Sequence, residues 1–444
     1  MVLINYKYKL LLNILLFCLL STQLFSCENF IREKEYLLPG ERYEALSNNT
    51  SDIVELDKNL TLSLSPPIQN KRWNSSGGSG INNSGNILYT EIFQKNWEAE
   101  VGIGGSKQNI LIIDPIIIGG FAYTVDSTNN ITAIDISNGK IHWREAFYPI
   151  EEDPGEGFGG GLVAASGIIF FANGFGDVYA IDPFNGDIIW QKNIGVPIRS
   201  SPIADNKLVY VLGVDNIIHA FDILTSERIW QYEWFSEAAG FIQTSDMALY
   251  KNFLIVPYRS GEVFVFDAYS GRRIWADTVN RKNITNSLSQ IKDIIANPIL
   301  HNEILISIGF QGRLIANNIN NGFRLWELPI SSDLTPVATD DYLFIISQEN
   351  VLFAIDISKG DILWTIDLNS KYKLDSDDKL ISKLLLNNVI HVFTSFGDII
   401  KFDARDGAFI ETLNNQIENL SIPPIVVNKK LYVVSNNGIL ISYE

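Results

Sequence analysis

Apolar and polar residues alternate along most of the chain in short runs that end at turn residues. Residues 131–143 (ITAIDISNGKIHW) are a clear case: alternating apolar positions lead to Asp135, Ser-Asn-Gly follows, and a second run closes on Trp143. Period-two alternation predicts strands, and Asp with Gly around a tight turn predicts an antiparallel hairpin. Related runs occupy 178–190 (VYAIDPFNGDIIW), 218–230 (IHAFDILTSERIW), 263–275 (VFVFDAYSGRRIW), 314–326 (LIANNINNGFRLW) and 352–364 (LFAIDISKGDILW). A seventh copy, 400–410 (IKFDARDGAFI), has lost its Trp. The turn residues Asp135, Asp182, Asp222, Asp267, Asn318, Asp356 and Asp403 are 38 to 51 residues apart, and another apolar pair precedes each motif, as at 207–212 (KLVYVL). Four strands in that period is the length of a propeller blade, and each Trp is large enough to fill the wedge between blades. A solenoid is the structural alternative, and the termini argue against it. The chain ends at 440–444 (LISYE), in register with 178–182 (VYAID), so its last copy lacks an outer strand; 93–97 (FQKNW) carries a Trp but no inner strands. The expectation is an all-β, eight-bladed β-propeller of four-stranded antiparallel blades, with the last blade closed by an N-terminal strand and no open sheet edge left at the seam.

The N-terminus follows another pattern. Lys7 and Lys9 precede an apolar run, 10–20, too short to span a bilayer but of signal-peptide length. Leu24-Phe25-Ser26-Cys27 then resembles the bacterial lipoprotein box, although Phe25 stands where a small residue is usual. The resemblance implies removal of 1–26 and acylation of Cys27. Glu28, in place of Asp, favours outer-membrane sorting in a Gram-negative envelope. Residues 27–86 are polar and aperiodic, ending in 75–85 (SSGGSGINNSG), and read as a flexible tether with two islands, Leu38-Pro39-Gly40-Glu41-Arg42 and Arg72-Trp73, which either form a turn and a loosely packed Trp or dock on the domain or a partner. The propeller is expected over 87–444.

Composition narrows the chemistry. Charged residues make up 19% and the net charge is −17, or −19 once Lys7 and Lys9 leave with the signal, so no cationic face for nucleic acid is expected. Cys18 and Cys27 are the two Cys, which excludes a disulfide scaffold and a zinc finger. Residues 155–160 (GEGFGG) spell a phosphate-loop pattern, but they open no helix and follow the acidic Glu151, Glu152 and Asp153; a surface loop with Phe158 at its tip is expected. His142, His219, His301 and His391 fall at different places in different copies, so no catalytic or metal set is indicated. No metal site and no cofactor are expected.

The motif AxDxxxGxxxW resembles the repeat of quinoprotein propellers, which would make the chain a quinone-dependent dehydrogenase. Those enzymes typically use a calcium site, a Trp platform and often adjacent Cys, and one mature Cys cannot supply the last. A fuller resemblance, covering nearly the whole mature chain, is to the BamB family of outer-membrane β-barrel assembly lipoproteins. It rests on the lipobox, the tether, 97–104 (WEAEVGIG), seven further motifs, and an end inside the last blade. That family implies no enzyme but a scaffold, held by lipid to the periplasmic side of the outer membrane. Its partners would be the POTRA domains of the BamA-type barrel protein and other subunits of the machinery. The family's contact loops follow the third and fourth Trp motifs, here 236–247 and 283–297. Phe241, Ile242, Gln243 and Thr244 occupy the first, without the family Arg; Asp293 matches a family Asp in the second, where Ile295 replaces another. An envelope propeller binding some other protein is the remaining reading.

Overall fold

In this computed structural model the described residues are 60–106, 111–234, 245–280 and 294–444. They form eight sheets, each antiparallel among its four blade strands. Blades 1 to 7 occupy 116–146, 160–193, 203–233, 248–278, 299–328, 337–367 and 380–413. Blade 8 combines 425–443 with the strand Lys95–Glu100, which pairs antiparallel with Ile439–Tyr443. The first strand of each blade lies nearest the axis and the fourth at the rim.

The burial pattern explains this layering. Inner strands such as Leu208–Leu212 are buried at every position, whereas the rim strand Ile188–Asn193 is exposed at every position but Trp190. A rim strand therefore needs one large inward side chain. The indole N–H groups of Trp97, Trp143, Trp190, Trp230, Trp275 and Trp326 each donate to a carbonyl of the following blade, at 2.8–3.1 Å. The acceptor always belongs to the residue after the turn Asp or Asn, as with Ile136 after Asp135. The turn itself is tied by that Asp: the Asp135 carboxyl accepts from the Ser137 N–H at 2.8 Å. Gly139 completes it with a φ of +74°, and a Cβ there would lie 2.7 Å from the Trp97 ring, so the turn needs Gly for conformation and for contact. Blade 3 has Ser226 at the corresponding place, with a φ of +60°.

Trp97 lies on the N-terminal strand and docks on blade 1, so the joint between blades 8 and 1 is built like the others. The joint between blades 7 and 8 differs. Glu411 sits opposite Lys401 where blades 1, 2, 3, 5 and 6 place Trp opposite Ala. Lys401 pairs with Glu411 at 2.9 Å and with Glu91 at 2.8 Å, and Glu91 also meets the buried His391 at 3.4 Å. A charged cluster thus replaces the missing indole, alongside the aromatic pair Tyr89 and Phe93.

Residues 60–86 depart from the flexible tether expected of them. They form a strap across the axis at the inner-turn end. Main-chain bonds join the strap to Arg405 of blade 7, Asn428 of blade 8, Ile117 of blade 1, Ala164 of blade 2, Leu249 of blade 4 and Leu300 of blade 5. The Asn83 amide then pairs with both the N–H and the C=O of Ala338 in blade 6, each at 3.0 Å. Finally Asn86–Ile87 adds a parallel fifth strand to blade 7. Leu62 and Trp73 are buried beneath it. The innermost strands have one unpaired edge, and the strap's main chain and Asn amides satisfy it where water would otherwise enter. The run read as low complexity is small because it must lie close to several blades at once.

Candidate functional site

The strap floors an axial cavity of about 710 Å³. Its wall is set by one position per blade, at or just before the start of the inner strand. Counting back equally from the inner turns, these positions are Asp114, Gly161, Ser201, Asp246, Asn297, Thr335, Ser382 and Pro423. Pro follows Asp114, Ser201, Asn297, Thr335 and Pro423. Pro holds the preceding residue extended and gives up an N–H that the channel-side edge does not need. At Gly161 a Cβ would fall 2.2 Å from the Ser201 hydroxyl, so blade 2 has no side chain in the ring. Residues 155–159 form a loop as expected and the inner strand Gly160–Ala165 follows, but Phe158 is no exposed tip: it is half-buried under the Arg199 guanidinium, 3.9 Å from its ring centre.

Hydrogen bonds link this ring from blade to blade. The Asp246 carboxyl accepts from the Ser201 N–H at 2.6 Å, the Asp246 N–H donates to Asn297 Oδ1 at 2.8 Å, and the Asn297 N–H donates to Thr335 Oγ1 at 3.1 Å. Lys383 Nζ donates to the Thr335 carbonyl at 2.7 Å. On the other side, Ser76 of the strap donates to Asp114 at 2.6 Å, and the same hydroxyl interacts with Asp246.

The electrostatics are unusual for a solvent-filled channel. Asp114 and Asp246 keep part of their surface on the cavity but lie deep in the protein. Burial pushes the Asp114 carboxyl up to about 7; the Ser76 hydroxyl opposes this and the Asp246 charge adds to it. Asp246 is raised by burial against bonds from Ser76, Ser201 and Asn297. Lys383 is 4% exposed, and burial pushes its ammonium down to about 7, with Asp333 opposing.

None of this ring was singled out from the sequence. Its signal was present as the recurring polar-Pro pair at 114–115, 201–202, 297–298 and 335–336, one before each of four inner strands. The residues that were singled out, Cys27, Phe241, Ile242, Gln243, Thr244 and Asp293, lie outside the described residues. The described ends of their loops are informative. Residues 234–247 connect the rim of blade 3 to the axis of blade 4, and 279–298 make the same connection from blade 4 to blade 5. The described ends of both connections therefore lie at the end opposite the strap. Between them, Met247 and Ile294 are buried, and Ser245 donates to the Ala296 carbonyl at 3.0 Å.

Fold and site together define an eight-bladed propeller with Trp-docked repeats and a strapped axis. The family profile described as "Outer membrane protein assembly factor BamB" matches residues 127–366, more than half of the chain, and the chain belongs to that family. The outer membrane protein assembly factor BamB of Burkholderia pseudomallei is 26% identical over 353 residues, covering 78% of this chain and 86% of the relative. Among solved structures, BamB from Moraxella catarrhalis is similar with a TM-score of 0.65 at 16% identity, covering 79% of this chain and 99% of the other. A europium-containing methanol dehydrogenase is similar with a TM-score of 0.64 at 13% identity, covering 82% and 89%. At these identities the two structures share the fold.

The second of these likenesses, with the quinoprotein-type repeat, raises the question of a quinone cofactor with carboxylate arms. The channel presents an acidic side at Asp114 and Asp246 and basic groups at Arg199, Lys379 and Lys383. Among the described residues no group of three His, Cys, Asp or Glu could hold a metal beside it.

Proposed function

We propose that the chain is a non-enzymatic scaffold of the outer-membrane β-barrel assembly machinery. It is held to the periplasmic face of the outer membrane by lipid on Cys27. It binds the POTRA domains of the BamA-type barrel protein, alongside other subunits, through Phe241, Ile242, Gln243, Thr244 and Asp293. Family membership across the propeller repeats carries the assembly role. The geometry supports the surface: both connections leave neighbouring blades at one end, and docked rims hold those blades at a fixed angle. Phe241 and Ile242 are apolar anchors of the kind that dominate interface energies, and Asp293 adds a charge that tunes encounter and register.

Affinity co-purification from detergent-solubilised envelopes tests this reading. The barrel subunit should be recovered with the parent chain and lost from both Phe241→Ser/Ile242→Ser and Asp293→Arg, each of which keeps the parental melting temperature. Recovery of other envelope proteins without the barrel subunit would make the chain a different binding propeller. Cys27→Ser should move the folded protein to the soluble envelope fraction; unchanged attachment after carbonate washing would remove the anchor from the account.

A further inference from the structure

The axial cavity is lined by acidic and basic groups on different blades, with Asp333 acting on Lys383 through its charge and without an ion pair. Among the described residues no Lys or Arg pairs with Asp114 or Asp246, and no carboxylate forms an ion pair with Lys383. Lys383 spends one N–H on the Thr335 carbonyl and keeps two donors. Ser382, before it on the same strand, also lines the cavity and has a buried hydroxyl without a partner. A purely structural channel would fill these positions with neutral groups, because isolated buried charges cost several kcal/mol. The arrangement is also stiff: backbone and side-chain bonds fix Asp246, Asn297 and Thr335 in sequence around the wall. The volume falls in the range of about 300–1,000 Å³ found for small-molecule sites.

We propose that the axial cavity binds a small zwitterion, an amino-acid-like molecule whose ammonium group sits between Asp114 and Asp246 and whose acid group meets Lys383 and Ser382. An organic ammonium ion matches the carboxyl pair, which can accept several N–H bonds around the shared Ser76 hydroxyl. A lone cation would leave Lys383 unmatched, and a lone anion would leave the carboxyl pair unmatched; one molecule bearing both satisfies both. The strap closes the inner-turn end, so the ligand enters from the opposite end. This inference does not depend on the scaffold role.

Titration calorimetry on the purified chain tests it, with glycine, 4-aminobutyrate and 6-aminohexanoate as zwitterions of growing charge separation, and butylamine, butyrate and calcium as controls. One zwitterion should bind with a Kd at or below about 1 mM, and each control should bind at least about tenfold more weakly. Asp114→Asn and Lys383→Met, which keep size and shape, should each weaken that zwitterion at least about tenfold without lowering the melting temperature. No binding by any zwitterion at about 10 mM would overturn the proposal. So would butylamine or calcium binding as tightly as the best zwitterion. The controls act on the parent protein, so the test stands even if a variant fails to fold.

Discussion

At Trp190 the indole is 9% exposed and its N–H donates to the Ile223 carbonyl at 2.9 Å. Trp190→Ala should cost roughly 3–5 kcal/mol, read as a lower denaturant midpoint. Trp364 is equally buried, but its indole N–H has no partner. Phe substitutions separate ring from bond: Trp190→Phe should be about 1 kcal/mol worse than Trp364→Phe, since only the former breaks a hydrogen bond and strands a carbonyl. Equal costs would mean that the wedge, and not the bond, holds the blades. Asp114 makes the opposite kind of contribution. Its folded carboxyl titrates at about 7 against an ordinary 3.8, so the folded protein binds more protons across that interval. Stability from this group is therefore lost as pH rises from about 4 through 7. Asp114→Asn should flatten that loss and melt higher than the parent at pH 8; a lower melting temperature there would show that the carboxylate is already compensated. The Trp positions were legible because seven turns share a spacing. Asp114 was not, because its meaning comes from seven other chain segments that meet it only in the closed ring.

Among the elements, the closing strand and the strap behave differently towards prediction. The Lys95–Glu100 strand was legible: one terminus had a Trp run without inner strands, and the other had inner strands without an outer one. The strap was not, since its bonds go from irregular main chain and Asn amides to strand edges, which leaves no period in the sequence. Deleting 91–99 removes the closing strand and Glu91 together. It should abolish cooperative unfolding and promote aggregation through the bared edge of Ile439–Tyr443. A deletion variant that melts like the parent would mean that the ring does not need closure. Glu91 also gives the joint between blades 7 and 8 a pH dependence. The hydrogen bond with His391 and the bond and charge of Lys401 hold its carboxyl down at about 2, against opposing burial, from an ordinary 4.5. The folded form then binds fewer protons, so the contribution is present above about 4.5 and lost as pH falls towards 2. Glu91→Gln should lower stability at pH 7 and cost least near pH 2, where the parent carboxyl is already protonated; unchanged stability at pH 7 would show that Lys401 and His391 find other partners.

For the whole molecule, repetition decided how much could be read in advance. Six joints sharing one docking bond left little freedom in architecture, and the repeat spacing carried it. The connections after blades 3 and 4 are where blades stop repeating, so no internal copy exists against which to read Phe241, Ile242 or Asp293. Their proposed role rests on the family to which the chain belongs. The most direct test is binding between the purified chain and the isolated POTRA domains of its barrel partner, measured by interferometry for the parent, Phe241→Ser/Ile242→Ser and Asp293→Arg. The account predicts saturable binding by the parent and a loss of at least about tenfold in each folded variant. No binding by the parent, or equal binding by all three, would contradict it.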